Sequence, residues 1–333
     1  MDVRHFELGD VELQSGQVLH DARLGYVTFG SLNAARDNVV LFPTYYTGTH
    51  RDNARIVGKG RALDPDRWFI VVPNLFGNGV SSSPSNHGPQ SAADFPRVSI
   101  YDNVACQNRL LTEVLDAPRV RLCFGWSMGA QQAYHFAALH PECVDAVLAV
   151  CGSARTSAHN WVFLEGVKAA LLADPGFEGG RYTRPPERGL SAFGRVYAGW
   201  AYSQTFFRTG LYRRLGYRSV QALLDGWAAD HRAWDANDLL AMLYAWQRAD
   251  IGDHALYQGD FARALRAIRA RTIVMPASTD LYFPPEDSAV EVAHLPNAEL
   301  RVIETDFGHV AGGPDRVPEA TAFIEAALRE LLG

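Results

Sequence analysis

The alternation of apolar and polar positions changes character along the chain. Residues 5–30 alternate around Gly9-Asp10 and Ser15-Gly16, which is typical of antiparallel hairpin strands. Short, wholly apolar runs then recur between helical stretches and predict buried strands. These runs are residues 39–43, 68–73, 120–124 and 144–151. Strands that alternate with helices predict an α/β fold with a mostly parallel sheet flanked by helices.

A different pattern occupies residues 155–265. This stretch has no clear strand signal and is rich in helical segments that carry Trp, Tyr and Phe. Strand-like runs return at 271–276 and 299–303, and a helix is predicted from 317 to 332. We therefore predict a core domain (1–154 and 266–333) and an inserted helical lid domain (155–265). The aromatic side chains either pack the insertion or wall a substrate pocket, and packing is the favoured alternative.

Composition narrows the class of protein. The 333 residues are 47% hydrophobic, enough for a sizeable core, and the net charge is −6. That charge predicts no general attraction to nucleic acid or anionic membranes. Neither a signal-like apolar run at the first residues nor a run of membrane-spanning length is present, so a cytoplasmic protein is expected. A homodimer is left open.

The four cysteines suggest no cross-link and no metal site. Cys106, Cys123, Cys143 and Cys151 lack CxxC spacing. Free core thiols are therefore expected rather than disulfides or metal ligands.

The stretch Gly125-Trp126-Ser127-Met128-Gly129 carries the strongest chemical signal. It follows an apolar run and precedes the Ala-rich stretch 130–139, which gives the strand–turn–helix context of a nucleophile elbow. Ser127 is the expected nucleophile, because such a turn exposes its hydroxyl above the sheet. The amide of Met128 is expected to donate to an oxyanion from the helix N-terminus. The alternative is a strand–helix turn with an incidental serine.

A serine needs a histidine to take its proton and a carboxylate to orient that histidine. In this fold the order along the chain is serine, acid, histidine. Asp280 directly follows the strand-like run 271–276, and His309 follows the next run, 29 residues later. Asp287 is a second candidate acid but is predicted to lie in the first turn of a helix. Asp306 is expected to hydrogen-bond its own loop.

The second oxyanion donor should lie in the polar loop after the apolar run 39–43. The Tyr46 amide is the preferred donor, and the Tyr45 amide is the alternative.

Seven stretches spread over most of the chain make it similar to the homoserine O-acetyltransferase family of the α/β-hydrolase fold. They are Tyr45-Tyr46-Thr47-Gly48, residues 74–79, 95–102, 125–129, 234–240 and 280–285, and Phe307-Gly308-His309. The resemblance implies the fold and the Ser127–Asp280–His309 triad. It also implies that an arginine of the lid holds the substrate carboxylate, a place that Arg208 approaches. Tyr45 and Trp126, which lie in two of these stretches, are expected to line the substrate pocket.

Val310 departs from the family. An aspartate typically follows the catalytic histidine there and receives the ammonium group of homoserine. A valine cannot pair that charge, and an unpaired buried charge costs several kcal/mol. Homoserine is therefore a poor candidate for the acceptor.

Three functions remain open. A hydrolase would transfer an acyl group from an ester or thioester to Ser127 and then to water. An O-acyltransferase would pass it from acetyl-CoA to a hydroxylated metabolite. A non-catalytic receptor would use only the pocket, and the apparently intact triad argues against it. Hydrolysis is the leading hypothesis, with a small-molecule acyl substrate and no cofactor apart from acetyl-CoA as a co-substrate in the transferase case.

Overall fold

The computed structural model describes residues 2–333 and builds one eight-stranded sheet from them. The strands are β1 (Arg4–Glu12), β2 (Val18–Phe29), β3 (Val39–Leu41), β4 (Phe69–Pro73), β5 (Leu122–Trp126), β6 (Ala146–Val150), β7 (Arg271–Met275) and β8 (Ala298–Leu300). Their spatial order is β1-β2-β4-β3-β5-β6-β7-β8. β1 pairs with β2, and β2 with β4, in antiparallel fashion, whereas all later pairs are parallel.

Eleven α-helices accompany the sheet in the described residues. They are α1 (His50–Asn53), α2 (Ile100–Arg109), α3 (Met128–Leu139), α4 (Ala158–Leu172), α5 (Glu187–Ala201), α6 (Gln204–Thr209), α7 (Val220–Arg232), α8 (Ala236–Gln247), α9 (Phe261–Ala267), α10 (Pro285–Val292) and α11 (Pro318–Leu332). A π-helical turn at Leu110–Val114 extends α2. Helix α3 packs against β5, β6 and α2, and α11 packs against β6 and β7. The predicted α/β fold is confirmed.

The apolar runs in the sequence are the central strands. Every residue of β4, β5 and β6 is buried, as expected for parallel strands that are covered on both faces. The outer strand β1 instead mixes exposed and buried positions. The segments that follow the carboxyl ends of β3, β5, β7 and β8 carry the candidate site, which is where open parallel sheets place their ligands.

All of the regular secondary structure between β6 and β7 is helical. It contains α4 to α9 and no strand, which confirms the helical character predicted for residues 155–265. Large aromatic side chains pack inside it, among them Phe163, Phe206 and Trp246, each almost completely buried. The division of the chain into two domains stays a prediction.

Two further structural findings bear on the expectations. Among residues 2–333, no helix is both long and apolar enough to cross a bilayer. All four cysteines are free thiols, and Cys106, Cys123 and Cys151 are buried.

Candidate active site

Ser127 lies at a strained turn between β5 and α3. Its backbone angles are φ 57° and ψ −125°, a region that side-chain-bearing residues rarely occupy. Neighbouring glycines permit this turn. A Cβ on Gly125 would lie 2.1 Å from the carbonyl carbon of Gly129, and a Cβ on Gly129 would lie 2.9 Å from the Pro43 oxygen. The strand–turn–helix context that the motif predicted is therefore present.

Asp280 and His309 form a buried hydrogen-bonded pair. The His309 Nδ1 and the Asp280 Oδ2 are 2.7 Å apart, and both residues are at most 4% exposed. The second carboxylate oxygen, Oδ1, accepts from the amides of Tyr282 (2.8 Å) and Phe283 (3.2 Å). An aspartate that accepts from amides two and three residues ahead is a common turn, so this anchoring could have been foreseen from the sequence. The carboxylate is thus held on both oxygens.

Aromatic rings surround the imidazole of His309. The Trp126 ring stacks on it at 5.0 Å between centroids, and the Tyr282 ring meets it edge-on at 4.7 Å. Phe283 lies at 5.6 Å. The rings leave the imidazole little freedom to rotate away from Asp280. Sequence reasoning assigned Trp126 to the substrate pocket but missed its contact with His309.

Ser127 and His309 line one cavity of about 500 Å³. No hydrogen bond joins the Ser127 hydroxyl to the imidazole in the described residues. Such bonds are often long before substrate binds, so the arrangement is compatible with proton transfer from the hydroxyl to His309.

The two expected oxyanion donors come from different parts of the chain: Met128 directly follows Ser127, and Tyr46 lines the same cavity as Ser127 from the loop after β3. Met128 is the first residue of α3, and its amide makes no hydrogen bond to the described residues, as is usual in the first turn of a helix. The amide of Tyr46 is likewise unpaired. The Tyr46 hydroxyl donates to the Leu239 carbonyl at 3.2 Å, so this side chain is engaged with α8. The oxyanion role of the two amides stays a prediction.

The cavity wall combines core and helical-segment residues. Tyr45, Trp126 and Val310 line it. Five Tyr and Trp residues of the helical segment line it too: Tyr197, Tyr202, Tyr217, Trp227 and Trp234. Some of the aromatic residues therefore face the cavity, although others pack internally.

The prediction that Arg208 lines the pocket is wrong. Arg208 lies near the end of the short helix α6, its side chain is exposed, and it does not contribute to the cavity. Arg316 lines the cavity instead, from the loop after His309. Arg316 could not be singled out beforehand, because no motif marks it and the loop that carries it has no regular period.

Charged groups of both signs line the same cavity. Asp52 and Arg55 pair with each other at 3.2 Å. Asp230 and Arg316 also line it, and neither has an ion-pair partner within 4.0 Å among residues 2–333. Burial raises the pKa of Tyr45 well above its usual range, and Tyr45 therefore stays a neutral hydroxyl beside Arg316.

Two other titratable residues, Asp287 and His135, fall outside the site. Asp287 lies in the first turn of α10, as predicted, and not in the acid loop. His135 is buried in α3 and pairs with the Gln131 carbonyl at 2.8 Å. Burial lowers the pKa of His135 to about 4, so it is a neutral structural histidine at pH 7.

One group of potential metal ligands lies in the described residues, and it is the site itself. Cys151, Asp280 and His309 each place one ligand atom within 4.8 Å of the others. Two of these atoms are already joined by the hydrogen bond between Asp280 and His309. A hydrogen-bonded Asp280–His309 pair beside a buried thiol accounts for the group, and no metal site is predicted there.

Comparisons with known proteins agree with this geometry. The model of a family described as alpha/beta hydrolase fold matches residues 38–312. The chain is 39% identical over 308 residues to an ethyl acetate hydrolase of Pseudomonas veronii, covering 91% of this chain and 88% of that protein. A solved structure of the acetyl esterase MekB superposes with a TM-score of 0.96 at 36% identity, covering 100% of this chain and 97% of that one.

Acetyltransferases are also similar to the chain. A homoserine O-acetyltransferase of Trichormus variabilis is 31% identical over 317 residues, covering 90% of this chain and 86% of that protein. The resemblance drawn from the motifs is thereby confirmed. Of these proteins, the two esterases have the higher identity.

Proposed function

The chain belongs to the alpha/beta hydrolase fold family and is a serine hydrolase or acyltransferase, and we propose that it hydrolyses short-chain acyl esters through an acyl-Ser127 intermediate. The observation that carries the proposal is the buried Asp280–His309 pair, whose histidine lines the same cavity as the strained Ser127. Short acyl groups, acetyl above all, are suggested by the similar esterases, whose names specify ethyl acetate and acetyl esters.

The proposed cycle has two halves. The Ser127 Oγ attacks the ester carbonyl carbon while His309 takes its proton, and the carbonyl oxygen becomes an oxyanion. The amides of Met128 and Tyr46 stabilise that oxyanion. The C–O bond to the alcohol then breaks, and His309 returns the proton to the leaving oxygen. Water attacks the acyl-Ser127 by the reverse sequence and releases the acid.

Asp280 contributes orientation and charge. Its Oδ2 fixes the His309 tautomer with Nδ1–H toward the acid and leaves Nε2 free to face Ser127. Two amides on Oδ1 stop the carboxylate from turning away. The cycle needs no cofactor.

Val310 favours water over an alcohol as the acceptor. A transferase must bind its alcohol better than water, and that requires fixed polar contacts near the histidine. Val310 lines the cavity directly after His309 and offers none.

One observation favours acyl transfer as a second candidate. Asp230 and Arg316 carry opposite charges on the cavity wall and lack ion-pair partners in the described residues. A hydroxylated amino acid has an ammonium and a carboxylate that could meet them. Acetyl-CoA would then be the donor, and the first half of the cycle would be unchanged.

The deciding experiment measures hydrolysis and transfer on the same protein. Short-chain acyl esters and acetyl-CoA are supplied with and without homoserine, and both free acid and O-acyl product are quantified. We expect acetate esters to give acid at a rate that homoserine does not change. Efficient O-acetylhomoserine formation from acetyl-CoA would overturn hydrolysis as the function.

The intermediate is tested separately. A fluorophosphonate probe should label Ser127, and Ser127→Ala should lose both labelling and turnover, with a loss on the order of 10⁴-fold or more. Labelling that persists in Ser127→Ala would remove Ser127 as the nucleophile.

A further inference from the structure

Gln132 is fully buried in α3, one turn after the elbow, and its side chain bridges the two segments that carry the oxyanion donors. Its Nε2 donates to the Thr44 carbonyl at 2.7 Å and to the Met128 carbonyl at 3.1 Å. Thr44 precedes Tyr45 and Tyr46, and Met128 follows Ser127. One amide group therefore joins both sides of the predicted oxyanion hole.

The bond to Thr44 restrains the loop that presents the Tyr46 amide. The Thr44 carbonyl and the Tyr45 N–H belong to one planar peptide and point in opposite directions. The hydrogen bond from Gln132 to the Thr44 carbonyl therefore fixes the plane of the Thr44–Tyr45 peptide. This peptide directly precedes the one that carries the Tyr46 N–H. Gly129 permits the close approach, because it has no Cβ to strike the Pro43 oxygen.

Gln107 orients the bridging amide. Its Nε2, on α2, donates to the Gln132 Oε1 at 2.7 Å, and both side chains are fully buried. This bond makes Oε1 the acceptor end of the Gln132 amide and directs Nε2 toward the two carbonyls. The Gln107 Oε1 has no partner in the described residues, so the pair is not a fully satisfied structural network.

We propose that Gln132, oriented by Gln107, is a positioning residue that sets the spacing between the Tyr46 and Met128 amides and so the strength of the oxyanion hole. The inference rests on the proposed function, because it presumes an oxyanion formed at Ser127. Gln132 itself touches no reacting atom.

Gln131 provides a matched control. It is the adjacent residue of α3, has the same side chain and is also fully buried. Its Nε2 donates to the Thr156 Oγ1 at 3.1 Å, away from the oxyanion loop. Gln131→Met and Gln132→Met thus make the same chemical change at equal burial, but only the Gln132 side chain contacts the oxyanion loop.

The test compares three variants, Gln132→Met, Gln107→Met and Gln131→Met, with acetate ester as the substrate. We expect Gln132→Met to lower kcat by about 10- to 100-fold with KM nearly unchanged, because the oxyanion exists only in the transition state. Gln107→Met should lower kcat less, since Thr44 keeps its donor. Gln131→Met should keep kcat within about threefold of the parent.

A second readout separates positioning from general damage. A short alkylboronic acid forms a tetrahedral adduct on serine that uses the oxyanion hole. Its inhibition constant should rise in Gln132→Met by the factor by which kcat/KM falls, and the pH profile should not move, because Asp280 and His309 are untouched. Melting temperatures should fall similarly in Gln131→Met and Gln132→Met.

The outcomes are distinguishable. Equal kcat in Gln131→Met and Gln132→Met, or an unchanged boronate constant in Gln132→Met, would overturn the role of Gln132 and leave the proposed function standing. Activity that survives in Ser127→Ala would instead overturn the proposed function itself. If Gln132→Met does not fold, Gln107→Met decides. A fall in kcat together with an equal rise in the boronate inhibition constant supports the proposal, and a kcat and inhibition constant like those of the parent refute it.

Discussion

The floor and the outer wall of the cavity are built on different principles. The floor carries Ser127 and His309, and Asp280 lies behind the histidine; each is at most 4% exposed and follows a strand in the parallel part of the sheet. The outer wall carries Asp230 and Arg316, whose exposed side chains have no ion-pair partner within the described chain. The floor residues are therefore held in place before substrate binds, whereas the charged side chains of the outer wall are free to pair with a charged group of the substrate.

This difference assigns chemistry and selectivity to separate parts of the molecule. Buried hydrogen bonds on the floor act in a low dielectric and lose little to solvent, so substitutions there should change rate greatly. Exposed charges on the wall are screened by water and salt, so substitutions there should change the choice of substrate modestly. The following substitutions test that contrast.

The largest expected effect is on the floor. Asp280→Asn should lower kcat by about 10⁴-fold, because an amide leaves the imidazole in the wrong tautomer. Asp287→Asn, on α10, is the matched control and should stay within about threefold of the parent. Steady-state kinetics on an acetate ester measure both. A crippled Asp287→Asn with an active Asp280→Asn would move the acid out of the loop after β7.

Val310 lies where floor and wall meet, and its effect should be intermediate. Val310→Asp should raise transfer to homoserine by at least about 10-fold, since the new carboxylate can pair an ammonium. The same carboxylate places a negative charge beside His309, so ester hydrolysis should not improve. Val310→Asn controls for polarity without charge. Efficient homoserine acetylation by the parent would contradict the assignment of Val310.

Arg316 tests the wall alone. Arg316→Gln should lower kcat/KM for 4-nitrophenyl hemisuccinate by about two- to fivefold, because an exposed ion pair is worth at most about 1 kcal/mol. The neutral methyl ester of the same acyl group should be unaffected. Arg208→Gln is the control, since Arg208 lies outside the cavity. The loss should shrink at high salt. An equal loss of kcat/KM for both esters would show that Arg316 shapes the cavity wall but does not bind the substrate carboxylate.

The same contrast explains what could be predicted from the sequence. Ser127, Asp280 and His309 each follow an apolar run at a spacing that the fold dictates, so strand order alone brings them together. Arg208 was expected near the substrate carboxylate but lies outside the cavity. It belongs to α6, a helix of six residues, and the sequence pattern of so short a helix does not predict how it packs. Arg316 and the Gln107–Gln132 contact were missed because both depend on which elements become neighbours in three dimensions.

The smallest expected effect on rate lies where the helical segment joins the core. Asp238, on α8 and 2% exposed, accepts from the Ser85 amide at 2.9 Å and from the Ser85 hydroxyl at 2.6 Å. Burial raises the pKa of Asp238 to about 7, against the lowering effect of these two bonds, and Asp235 adds a smaller increase. Between about pH 4 and pH 7 the folded protein therefore holds a proton that the unfolded chain has lost. Stability from this group is present below pH 4 and is lost as the pH rises through 7. Asp238→Asn should remove that part of the pH dependence of stability. The melting temperature of the parent should therefore fall relative to that of Asp238→Asn between pH 5 and pH 8, so that the difference between the two shrinks or reverses. The kcat should change less than about twofold. Ser85→Ala is the control, because it removes one bond and keeps the carboxyl. If parent and Asp238→Asn show parallel stability curves over this range, the carboxyl is ionised in the fold, and the junction between helical segment and core is a fixed contact at every pH.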